Sequence, residues 1–134
     1  METEFKILYI EDDPDDIYIF ADVLEKSALN RYDLVTFNNG SDALEYLKAI
    51  DSEKELPDVI ILDINMPKMD GLETLGKIQK ERMLKEIPSF ILTTTNNPEF
   101  KLQSRLLGCK GYYPKPARFK DFEKIIDEIL NAVK

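Results

Sequence analysis

The chain has 134 residues, of which 43% are hydrophobic and 33% charged, with a formal net charge of −8. That length fits one domain with a real core, and the acidity argues against a general binder of nucleic acid or anionic membrane. Histidine is absent and cysteine occurs once, at Cys109, which excludes His-based nucleophilic triads, common zinc sites and an internal disulfide.

The first apolar run, 5–10, ends on Glu11-Asp12 and predicts a strand that delivers two carboxylates to its carboxyl end. Asp13 then suits a helix cap, with Pro14 at the first helical position and Asp15-Asp16 facing the positive end of the helix dipole. Ile17, Phe20, Ala21 and Leu24 form the stripe of that helix. A second strand is expected at 33–37, followed by a helix with Ala43, Leu44 and Leu47 on one face. The run 58–62 ends on Asp63, and Asp70 before Gly71-Leu72 caps the next helix. Further strands are predicted at 89–93, ending on Thr93, and at 111–113, leading into Pro114-Lys115-Pro116. Gly108 and Gly111 suit the turn before the last strand. The closing helix carries Phe119, Phe122, Ile125, Ile126, Ile129, Leu130 and Val133 at helical spacing.

Strands that read as near-continuous apolar runs belong to parallel sheets covered on both faces. Strict β/α alternation predicts a doubly wound open parallel sheet, in which sites form beyond the carboxyl ends of the strands. Glu11, Asp12, Asp63, Thr93 and Lys115 all fall at such ends. Two carboxylates ~4 Å apart repel by about 4 kcal/mol at an effective dielectric of ~20. With Asp63 added, a cation resolves the repulsion most economically, and hard oxygen ligands with open positions favour Mg²⁺ over zinc. Asp63 reads either as a further metal ligand or as a nucleophile that accepts a phosphoryl group. Asn65 reads as a turn residue or as the donor of a carbonyl ligand. Lys115, held between two prolines, is placed to neutralise a phosphoryl oxygen, and the Thr93 hydroxyl to donate to another.

The assembled motifs resemble the receiver domain of two-component response regulators over roughly residues 5–130. They comprise Glu11-Asp12 after the first strand, Asp63-x-Asn65-Met66-Pro67-x-Met69-Asp70-Gly71 after the third, Thr93 after the fourth and Lys115-Pro116 after the fifth. The resemblance implies a flavodoxin-like fold of five parallel strands in the order 2-1-3-4-5 with five helices. It further implies that Asp63 is the phosphoacceptor and that Asp12 binds Mg²⁺ directly. Glu11 would act largely through water, and Asn65 through its backbone carbonyl. Thr93 and Lys115 would contact the phosphoryl group, and Tyr112 would be the switch aromatic. The Lys115–Pro116 peptide is usually cis in the family. Pro114, where the family has a strand aliphatic, is expected to weaken the last strand's pairing. Glu11 in place of the more frequent Asp is expected to alter the metal–water geometry, and Thr94 to narrow access to the site. The Glu-Asp pair and the Thr93-Thr94-Thr95 stretch are most similar to small standalone receivers that partner bacterial phytochrome kinases.

The expectation is therefore a single receiver domain over 1–134 with no effector domain. It would take phosphoryl from the phosphohistidine of a sensor histidine kinase, catalysing only its own phosphorylation and dephosphorylation. Output would pass to a downstream protein, or onward to a histidine phosphotransfer protein in a relay. No apolar run approaches the ~20 residues that span a bilayer, and no signal peptide is apparent. With one cysteine, a cytoplasmic location is expected, without membrane or direct nucleic-acid contact. Family analogy adds a homodimer through the face of the fourth helix, fifth strand and fifth helix. An aspartate-nucleophile phosphatase is the rival enzyme reading. Such enzymes generally carry a second acid two residues after the nucleophile, where this chain has Asn65.

Overall fold

The computed structural model describes residues 5–26 and 31–133; residues 1–4, 27–30 and 134 of the expected 1–134 domain lie outside them. Five strands alternate with five helices: β1 (Phe5–Ile10), α1 (Pro14–Glu25), β2 (Tyr32–Phe37), α2 (Gly40–Lys48), β3 (Val59–Leu62), α3 (Gly71–Gln79), β4 (Ser89–Thr93), α4 (Pro98–Leu106), β5 (Gly111–Pro114) and α5 (Phe119–Val133). A single 3₁₀ turn at Glu53–Glu55 precedes β3. The sheet is parallel throughout, in the order β2-β1-β3-β4-β5. Both the strand order and the helix number are as the sequence leads one to expect.

The period-2 alternation of the strands sorts their side chains into two cores. Ile7, Tyr9, Val59, Ile61, Phe90 and Leu92 face one side, under α1 and α5. Leu8, Ile10, Ile60, Leu62 and Ile91 face the other, under α2 and α3, with Phe100 and Leu107 of the α4 region packed at the margin. Because β1, β3 and β4 are covered on both sides, their apolar runs lack the polar alternation of a one-sided sheet. Fully burying each large aliphatic or aromatic side chain contributes about 1.5–3 kcal/mol, so these three central strands form a stiff platform.

Helix starts follow the local chemistry. Asp13 accepts from the Asp15 N–H at 2.9 Å with Pro14 opening α1, and Asp70 accepts from the Glu73 N–H at 2.8 Å to open α3. The α1 stripe differs in one place from its sequence pattern: Ala21 is exposed and Val23 is buried beside Phe20 and Leu24. Gly108 has φ +95° at the exit of α4, a left-handed value that favours glycine. Pro114 does not interrupt β5. The strand lies at the sheet edge, and the next residue, Lys115, still donates its N–H to the Thr93 carbonyl at 2.9 Å. Strand alternation turns the Pro114 nitrogen toward the open edge, where no ladder bond is lost.

Candidate functional site

The carboxyl ends of the strands hold the site by extending the ladder one residue past each strand. The Glu11 N–H donates to the Phe37 carbonyl at 2.9 Å, and the Asp63 N–H donates to the Ile10 carbonyl at 3.1 Å. With the Lys115 rung, three charged residues from three strands have fixed backbones. Gly71 tightens the arrangement further. A Cβ there would stand 2.0 Å from the Asp63 carbonyl oxygen and 2.8 Å from the Ile64 Cα, while its N–H donates to the Ile64 carbonyl at 2.9 Å. Only glycine lets the start of α3 lie against the backbone that carries Asp63.

Four acids and one lysine meet above this edge. Carboxylate oxygens of Glu11, Asp12 and Asp63 lie within 4.8 Å of one another, with Glu11 and Asp63 buried and Asp12 exposed. Lys115, its side chain only 7% exposed, reaches Asp63 Oδ2 at 3.0 Å, Asp16 Oδ2 at 2.8 Å and, by a very short contact, Glu11 Oε1. Glu11 also accepts from the Tyr9 hydroxyl at 3.3 Å and, through Oε2, from the Asp13 N–H at 3.1 Å.

Burial pushes the Glu11 carboxyl up to about 7, with the Asp63 charge adding to the rise and Lys115 opposing it. Burial pulls the Lys115 ammonium down, but hydrogen bonds to Asp16 and Glu11 and the nearby Asp63 charge outweigh it, so the group stays above its ordinary value. Burial also pushes the Tyr9 hydroxyl far up, aided by the Glu11 charge, which keeps it a donor.

The other half of the site is built differently. Thr93, fully buried, accepts the Thr95 N–H at 3.3 Å. Asn65 Nδ2 donates to Thr95 Oγ1 in a short bond, and the Asn65 N–H lies 3.4 Å from Asp63 Oδ1. Tyr112 is half-buried, and its hydroxyl donates to the Thr95 carbonyl at 2.7 Å. Burial, with the Asp63 charge, raises the Tyr112 hydroxyl above its ordinary value. An open groove of about 370 Å³, lined by Asp12, Ile64, Asn65, Met66, Leu72 and Phe100 among others, leads to the exposed side of the acids.

The structure thus brings Glu11, Asp12, Asp63 and Lys115 together. Thr93 and Tyr112 stand on the flank, joined to Asn65 through Thr95. Two features differ from the sequence reading. Asp16, explained there as a dipole residue, is a direct partner of Lys115. The chain has no cis peptide bond among the described residues. Lys115 reaches its three carboxylates with the bond to Pro116 in the trans form, which is also the cheaper form for an ordinary X–Pro bond. The donor set fits a hard divalent cation: clustered carboxylates, one of them open to solvent, carry excess negative charge even after Lys115 is counted.

A parallel 2-1-3-4-5 sheet with acids and a lysine meeting at its carboxyl edge, and a threonine on the flank, defines a doubly wound α/β domain with its site at the strand ends. The family model of the response regulator receiver domain matches residues 7–127, and the chain belongs to that family, a component of two-component signalling. The response regulator Rcp1 of Synechocystis is 32% identical over 125 residues, covering 92% of this chain and 84% of its own. Among solved structures, the phosphorylated cyanobacterial phytochrome response regulator RcpA superposes with a TM-score of 0.87 at 31% identity, covering 98% of this chain and 94% of its own. The Mn²⁺-bound form of Rcp1 superposes with a TM-score of 0.82 at 33% identity, covering 92% and 90%. No helix among the described residues is long and apolar enough to cross a membrane.

Proposed function

We propose that the protein accepts a phosphoryl group on Asp63 from the phosphohistidine of a sensor histidine kinase. The observation that carries this reading is the position of Asp63. Its backbone is locked between β1 and α3, and its carboxylate lies on Lys115 and within the three-acid group. An Asp63 oxygen attacks phosphorus, the phosphorus–nitrogen bond breaks, and its electron pair stays with the departing imidazole of the kinase. A bound Mg²⁺, held by Glu11, Asp12, Asp63 and the Asn65 carbonyl, would supply charge neutralisation at the phosphoryl oxygens. The Mn²⁺-bound Rcp1 and phosphorylated RcpA neighbours support this assignment by similarity.

The chain's own contribution is positioning and electrostatics. Lys115 turns an N–H from Asp63 toward a phosphoryl oxygen. Thr93, released from the weak bond to Thr95, donates to another. Thr95 moves with it and alters the carbonyl that holds Tyr112, so the surface around α4 and β5 shifts between two populations. Output then passes through contact with another protein, and the chain's chemistry is confined to its own Asp63. Incubation with acetyl phosphate and Mg²⁺ is expected to phosphorylate the wild type and to leave Asp63→Asn unlabelled. Full labelling of a folded Asp63→Asn variant would overturn the assignment.

A further inference from the structure

We propose that Asp16 is a positioning residue: the anchor that keeps Lys115 in the site when a divalent cation takes Glu11 and Asp63. An ammonium has three N–H donors, and here all three have carboxylate partners, on Glu11, Asp16 and Asp63. Two of those partners, Glu11 and Asp63, belong to the carboxylate group that gathers around the candidate cation position, whereas Asp16 lies outside it. Cation and lysine therefore compete for the same two acids and repel each other across them. Asp16 is the one partner whose negative charge stays wholly available to the ammonium.

The helix geometry supports the role. Asp16 sits in the first turn of α1, whose start is fixed by the Asp13 cap and by Pro14. That stiff turn aims the Asp16 carboxylate at a buried amine 99 positions along the chain, a contact that complementing the helix dipole does not require. Once phosphoryl replaces the bare Asp63 carboxylate, Lys115 can move one donor to the new oxygen while Asp16 holds the second.

The proposal rests on the cation reading of the acid group, and its test separates the two. Lysine reactivity toward an amine-acylating reagent is measured peptide by peptide for wild type, Asp16→Asn and Asp16→Glu, with and without saturating Mg²⁺, and Mg²⁺ uptake is followed calorimetrically in the same samples. Without Mg²⁺, Lys115 should react within about twofold in wild type and Asp16→Asn, since Glu11 and Asp63 still hold it. With Mg²⁺, Asp16→Asn should expose Lys115 about tenfold more than wild type, the loss expected for one charged hydrogen bond, and Asp16→Glu should recover protection. Equal protection in Mg²⁺, or an increase that is the same with and without Mg²⁺, would overturn the anchor role. Absence of Mg²⁺ uptake by the wild type would overturn it together with the cation reading. Wild type that binds Mg²⁺ and protects Lys115 but is never phosphorylated would contradict the phosphoacceptor assignment alone.

Discussion

The two halves of the site are held by different kinds of force. On the β1–β3 side, the carboxylates of Glu11, Asp16 and Asp63 share one buried lysine, and each participating backbone is tied into the sheet or capped into a helix. On the β4–β5 side, Thr93, Thr95, Asn65 and Tyr112 are joined by single neutral hydrogen bonds, one of them 3.3 Å long. The first half is expensive to disturb and suits chemistry that needs fixed charges. The second is cheap to rearrange and suits a conformational response. A buried charge left unpaired costs several kcal/mol, whereas a neutral hydrogen bond is worth about 1 kcal/mol. The phosphoryl group would arrive between them.

Removing Lys115 should expose this contrast most strongly. Lys115→Ala leaves buried carboxylates without their cation and should destabilise the metal-free protein by about 3–5 kcal/mol in denaturant unfolding. Saturating Mg²⁺ should restore more stability to this variant than to the wild type, because it supplies the missing positive charge. Equal stabilisation of both would show that the lysine and the cation do not share partners.

A smaller effect should appear in the pH dependence of Mg²⁺ affinity. The Glu11 carboxyl is pushed up to about 7, so it holds a proton below that pH and is an anion above it. A cation must displace that proton in acid, so affinity should weaken about tenfold between pH 8 and pH 6 and level off above pH 8. In the metal-free protein the linkage runs the other way. A carboxyl raised in the folded state favours folding below its unfolded value of 4.5, and that contribution is lost as pH rises through about 7. Calorimetric titration across this range checks the first effect, and thermal unfolding without metal checks the second.

Tyr112→Phe should do least. It removes one hydroxyl bond to the Thr95 carbonyl at a half-buried position, for a cost of about 0.5–1.5 kcal/mol. Phosphorylation should persist while any phosphorylation-dependent spectral change near α4 and β5 diminishes. A Tyr112→Phe loss as large as that of Lys115→Ala would erase the distinction between the two halves.

Much of this architecture was legible in the chain. β1, β3 and β4 are buried on both faces, so their apolar runs marked them, and the acids at their ends marked the site edge. Asp70 and Asp13 announced their helices because capping chemistry is local. α4 gave no stripe of its own, since Ser104 is its buried residue and Leu102 and Leu106 face solvent. Asp16 was hidden by a sufficient local explanation: an acid in a first helical turn needs no distant partner, and its pairing with Lys115 exists only after the sheet assembles. The linking role of Thr95 was hidden for the same reason, because it depends on where β3 and β5 place Asn65 and Tyr112. Pro114 misled in the opposite direction, since its cost depends on whether its nitrogen faces a neighbour or the open edge.

The central claim is that Asp63, among four clustered acids, is the one that receives phosphoryl. Reductive trapping with borohydride converts an acyl phosphate to the corresponding alcohol, and peptide mass spectrometry then reads its position. After treatment with acetyl phosphate and Mg²⁺, homoserine should appear at position 63 and depend on the metal. An alcohol at Glu11, Asp12 or Asp16 instead, or an unmodified Asp63 in phosphorylated protein, would contradict the account.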